Sequence, residues 1–196
     1  MIKISVGGMQ QVQNRIRKEI EKIAKDKTVL VGIHEDAGST DNGELTMAAL
    51  GATLHFGADI DHPGGTSYGY KTEKDMVDGK VRFLKSGQGH AVIGVTSPHK
   101  IKIPARPWLD VGVRSGSADY LDIIENNSDD LDRALNMIGD IAVGKVKQYM
   151  TELQDPPNAP STVKKKGSSN PLINNGHLRQ SVTYSIIDGK PEEGIG

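Results

Sequence analysis

The stretch SDDLDRALNMIGDIAVGKVKQYMTEL, residues 128–153, decides the fold. Leu131, Leu135, Ile138, Ala142 and Val146 recur every three or four residues, the apolar stripe of an amphipathic helix. Asp129, Asp130 and Asp132 fall in the first turn, where the helix dipole favours negative charge. Ser128 is the expected N-cap. Outward from this helix, Thr28–Ile33 is a β-branched run with the character of a strand, and Ser181–Ile187 alternates Val182, Tyr184 and Ile186 with polar residues. A second amphipathic helix is expected at Gln11–Lys27, with Val12, Ile16, Ile20 and Ile23 on one face. Thr46 can cap a short helix that ends near Phe56-Gly57.

The order predicts an α+β fold: a small, mostly antiparallel sheet with two helices packed on one face, in a single domain over 1–196. Within it, 59–100 reads as an inserted loop and β-hairpin. The expected hairpin pairs Lys80–Lys85 with His90–Val95 through a turn at Ser86–Gly89, and Lys100–Ile103 alternates as an edge strand that Pro104 ends. Residues 154–180 read as a long C-terminal arm. Prolines fix its entry, Lys164–Gly167 is a basic corner, Pro171-Leu172-Ile173 is an apolar anchor, and Asn175-Gly176 offers a turn.

Composition narrows the function classes. Of the 196 residues, 36% are hydrophobic and 4% aromatic, with 23 glycines, a thin core that suggests ordering within an assembly. The net charge of -1 gives no overall drive toward nucleic acid or membrane. No cysteine is present for disulfides, cysteine metal sites or thiol nucleophiles. No apolar run is long enough to span a bilayer and no signal-peptide core is evident, so synthesis in the cytoplasm is expected.

No catalytic constellation stands out. The six histidines include no pair at helical metal spacing, although a metal-dependent hydrolase built on His34, His55 or His62 is the alternative from another class. Gly64-Gly65-Thr66 lacks the context and lysine of a phosphate loop. Lys164, Lys165 and Lys166 are too few for a nucleic-acid tail and have no interleaved aromatics; a solvated corner or a contact to a neighbour's acidic patch at Asp129–Asp132 fits better. Trp108, the only tryptophan, is stiffened by Pro104 and Pro107 and reads as a core or inter-subunit anchor.

Two segments together resemble a known family. Ile103-Pro104-Ala105-Arg106-Pro107-Trp108-Leu109 is similar to the IPARPFL segment of tailed-bacteriophage neck and tail-completion proteins, the virion morphogenesis family. Thr162, Lys166-Gly167-Ser168-Ser169, Pro171-Leu172-Ile173, Gly176 and Leu178-Arg179 resemble that family's second characteristic segment. The element order is similar along most of the chain. Asn174-Asn175-Gly176 departs from the usual Asp-Thr-Gly, and the 59–100 region is expanded.

The resemblance implies a structural, non-enzymatic virion protein without cofactor. It would form a six-fold or twelve-fold homo-oligomeric ring at the head–tail junction, beside other neck and tail proteins, with DNA passing through the lumen. A tail terminator capping the tube is the near alternative. The expected subunit contacts are Pro104, Arg106, Pro107 and Trp108 on one patch, and Lys164, Lys165, Lys166, Pro171, Leu172 and Ile173 on the other.

Overall fold

Asp130, rather than Ser128, opens the long helix. Its carboxylate accepts the Arg133 backbone N–H at 3.0 Å, and the helix runs Leu131–Glu152. Ser128 is displaced because another helix, Ser117–Asn126, ends just upstream and residues 127–129 make the intervening turn. The structure, a computed structural model, describes residues 27–41, 43–85 and 87–189. The expected helix at Gln11–Lys27 lies outside them apart from Lys27, which opens a strand.

The described strands are β1 Lys27–Ile33, β2 Ala58–His62, β3 Ser67–Tyr70, β4 Arg82–Phe83, β5 Ala91–Val95, β6 His99–Ile103 and β7 Val182–Asp188. Every ladder among them is antiparallel, and with the helices they make an α+β fold. Instead of one sheet there are three small ones, ordered β1-β7, β2-β6 and β4-β3-β5. They fall into two compact units, Met1–Phe56 with Ala105–Gly196, and Gly57–Pro104.

In the first unit, β1 and β7 pair from Lys27↔Asp188 to Ile33↔Val182. That register gathers Val29, Val31, Ile33, Val182, Tyr184 and Ile186 on one face. The long helix covers this face through Gly139. A Cβ there would stand 2.2 Å from the Tyr184 ring, so only glycine admits the ring, whose hydroxyl donates to Asn136 Oδ1 at 3.0 Å. Helix Trp108–Ser115 packs on the long helix where Gly112 meets Val146. Met47, Trp108, Val146, Met150, Leu153, Leu172, Leu178 and Val182 form the core. Each such side chain contributes roughly 1.5–3 kcal/mol on burial.

In the second unit, the expected hairpin is replaced by a three-stranded arrangement. β4 and β5 do not pair with each other; β3 lies between them. The sequence of β3, Ser67–Tyr70, reads as turn chemistry, yet Gly69 is what lets it enter the sheet. A Cβ on Gly69 would stand 2.1 Å from the Ala91 carbonyl oxygen, at the register shift between Tyr68 and Gly69. β2 pairs with β6 from Ala58↔Ile103 to His62↔His99. A short helix, Glu73–Val77, is capped by Thr72, whose hydroxyl accepts the Asp75 N–H at 3.1 Å.

The segment 154–180 is not an extended arm. It contains helices Pro160–Lys166 and His177–Gln180, and it folds back so that Pro171, Leu172 and Leu178 are buried in their own unit. Leu172 and Leu178 belong to the core, which the apolar anchor completes rather than leaving it for a neighbour.

Candidate functional site

The two segments that carry the family resemblance meet in the core of the first unit through Trp108, Leu172 and Leu178, and Arg106 ties the first of them to the prolines that precede the second. Its backbone N–H donates to the Leu54 and His55 carbonyls at 2.9 and 3.1 Å, which ties residue 106 to the end of helix Met47–Phe56. Its side chain is 3% exposed. Nε donates to the Pro156 carbonyl at 2.9 Å and Nη2 to the Pro157 carbonyl at 3.1 Å. One guanidinium thus satisfies two successive carbonyls with charge-assisted hydrogen bonds. Burial lowers the Arg106 pKa from its ordinary value, and the guanidinium remains charged.

Trp108 starts the next helix and lies inward, 3% exposed. Its indole N–H donates to the Gly51 carbonyl at 3.2 Å. Gly51 has no room for a side chain: a Cβ would stand 2.9 Å from Ile33 Cδ1 and 3.3 Å from the Trp108 ring. The His55 ring meets Trp108 edge-on at 5.9 Å, and its Nδ1 accepts the Leu109 N–H at 3.4 Å. His55 is thereby a packing and capping group.

Asn170 holds the second segment down. Its amide Nδ2 donates to the Met150 and Thr151 carbonyls at 3.3 and 2.8 Å, groups that the end of the long helix leaves without helical partners. Its Oδ1 accepts the Leu172 and Ile173 N–H groups, both at 2.9 Å. One side chain thus satisfies both strands of a chain reversal. The sequence signal was an Asn before Pro, which marks a turn without revealing its partner.

Helix Pro160–Lys166 begins with proline in the first turn and ends at Gly167 with φ 73°. Lys164, Lys165 and Lys166 occupy its last turn, where cations complement the helix dipole. Lys164 and Lys165 are exposed. Lys166 is half-buried, and its ammonium donates to the Asn170 carbonyl. Burial, then the Arg106 charge, hold the Lys166 pKa below the ordinary lysine value. Beside this helix lies an open cleft of about 410 Å³ with Met47, Leu50 and Leu54 on one wall and Lys165, Pro171 and Asn175 on the other.

The structure redistributes the expected contact residues. Arg106, Trp108, Pro171 and Leu172 are buried within their own chain, because they close the core and tie down the chain reversal. Pro104, Pro107, Lys164 and Lys165 are exposed, and Lys166 and Ile173 are half-buried. The histidines named for a metal do not converge. His34 follows β1, His55 is packed on Trp108, and His62 stacks on His99 at 4.8 Å in the second unit. Among the described residues, no three His, Cys, Asp or Glu side chains come together as a metal-binding group. The chain matches no protein-family model, no curated protein and no solved structure.

Proposed function

We propose that this protein is a ring-forming structural component of a tailed-bacteriophage virion, a neck or tail-completion protein at the head–tail junction, and not an enzyme. The observation that carries the reading is the junction of the two resembling segments. Trp108 of the first segment and Leu172 and Leu178 of the second share one core, and Arg106 holds the Pro156 and Pro157 carbonyls just before the second segment begins. Segments that are similar to a family at two separated places gain weight when they form one structural element. Pro104, Pro107, Lys164 and Lys165 face outward on the two segments and are the residues offered to other copies or to neck and tail proteins. The protein would be made in the bacterial host's cytoplasm and reside in the virion, with DNA passing through the lumen of its ring.

The experiment is negative-stain microscopy of a lysate made without this gene product. Filled heads beside finished, unattached tails are the expected result. Over-long tails would assign the terminator position instead. Normal infectious particles would overturn the reading.

A further inference from the structure

We propose that copies of this chain join edge to edge through strands β2 and β6, the Asp-bearing edge of one copy pairing antiparallel with the Lys-bearing edge of the next. The inference rests on the ring reading above and names the surface that would close the ring.

The β2-β6 ribbon is a two-stranded sheet, and neither strand has a further ladder among the described residues. Both outer edges therefore present main-chain N–H and C=O groups to be paired, which is the chemistry of strand addition. Asp59, Ile60 and Asp61 are exposed on β2, and His99, Lys100, Ile101 and Lys102 on β6. A ribbon of two strands is marginal by itself and gains from further strands.

The charges select the partner. The register sets Asp59 opposite Lys102 and Asp61 opposite Lys100, so all four lie on one face, with Lys100 Nζ 3.5 Å from Asp61 Oδ1. Every charge on that face of β2 is negative and every charge on that face of β6 is positive. Two β2 edges, or two β6 edges, would set like charges directly opposite. A β2 edge meeting a neighbour's β6 edge repeats the pairing already made within the chain. Because β2 and β6 run antiparallel, rotation about a ring axis sets each β6 antiparallel to the next copy's β2. Such a contact is heterologous and closes into a ring with two strands per copy.

The opposite face of the ribbon carries Ile60 opposite Ile101, between the Ala58↔Ile103 pair and the stacked His62↔His99 pair. Ile60 is 44% and Ile101 39% exposed. Most of the exposed large apolar side chains among the described residues lie in this unit, including Phe83, Val77 and Val92. A continuous belt of ribbons would line Ile60 and Ile101 of each copy beside those of the next.

The chain has no cysteine, so a disulfide can be placed at will. Full-length Asp61→Cys and Lys100→Cys proteins are mixed, assembled, and oxidised mildly. Neither has two thiols, so every crosslink is between copies. Antiparallel neighbours place Cα atoms roughly 4.5–5.5 Å apart, within disulfide reach. Ala58→Cys mixed with Ile103→Cys repeats the test without touching a charge. The expected result is rings by mass photometry and a reducible dimer band in each mixture, absent from any single variant. Rings without mixed crosslinks in either pair would overturn this interface and leave the ring reading standing. Crosslinks within a single variant would also overturn it, since like edges would then be paired. Unsubstituted protein that forms no ring would overturn both.

Discussion

Gly112 and Val146 bring two helices to backbone contact: a Cβ on Gly112 would stand 2.7 Å from the Val146 Cα. The listener to that fit is the core itself, because Val146 is fully buried beside Met150 and Trp108. Gly112→Ala cannot be absorbed by a flexible side chain, since the atom it meets is backbone. The variant should lose about 1–3 kcal/mol as the helices are forced apart. Urea unfolding followed by Trp108 fluorescence measures it, and an unchanged midpoint would show that the helices can separate freely.

Asn170 makes two donor and two acceptor contacts that no other residue type reproduces. Asn170→Ala leaves the Leu172 and Ile173 amides without their acceptor, at a cost of roughly 1–3 kcal/mol. Asn170→Asp keeps that acceptor but loses the donors and sets a carboxylate against the Met150 and Thr151 carbonyls. Amide exchange at Leu172 and Ile173 should accelerate strongly in the alanine variant and less in the aspartate variant. Equal acceleration in both would refute the acceptor role of Oδ1.

Local periodicity made part of this fold legible. The stripe from Leu131 to Val146 located the long helix, alternation at Val182, Tyr184 and Ile186 located β7, and Thr46 does cap its helix by accepting the Ala49 N–H at 3.1 Å. Lys100–Ile103 was legible as a strand, while its partner was not. β2 carries Asp59 and Asp61, residues with low strand propensity, and only the facing Lys100 and Lys102 make it intelligible. β3 was hidden because Gly69 reads as a turn until the Ala91 carbonyl is seen against it. At the candidate site, Trp108 was singled out by composition. The role of Asn170 was invisible because its partners, Met150 and Thr151, lie 20 and 19 residues away.

Asp75 gives the second unit a response to acid. Burial pushes its carboxyl up, but the Arg82 hydrogen bond at 3.2 Å, the Arg82 charge and Thr72 together hold it below the usual carboxylate value. A folded pKa below the unfolded one means that the unfolded chain binds the proton more readily. The stabilisation is fully present above the unfolded value of about 3.9 and is lost as pH falls through the lower folded value. Arg82→Met should shrink the stability loss as pH falls from about 5 to about 2. Urea midpoints of the two proteins across that range provide the check, and parallel curves would remove Arg82 as the cause.

Lys166 should give a slope of the same sign at alkaline pH. Burial, then the Arg106 charge, lower its pKa, so the folded state sheds this proton before the unfolded chain does. The charged form is therefore disfavoured in the fold at every pH below the folded value. Stability contributed by this group rises as pH climbs from the folded value toward the unfolded value of about 10.4. Lys166→Met removes the charge, and the Asn170 carbonyl keeps the Asn158 Nδ2 bond at 3.2 Å. The methionine variant should match or exceed the parent in urea at neutral pH and lack its alkaline gain. A variant less stable than the parent at neutral pH would show that the ammonium's bond to the Asn170 carbonyl outweighs the burial and the Arg106 repulsion.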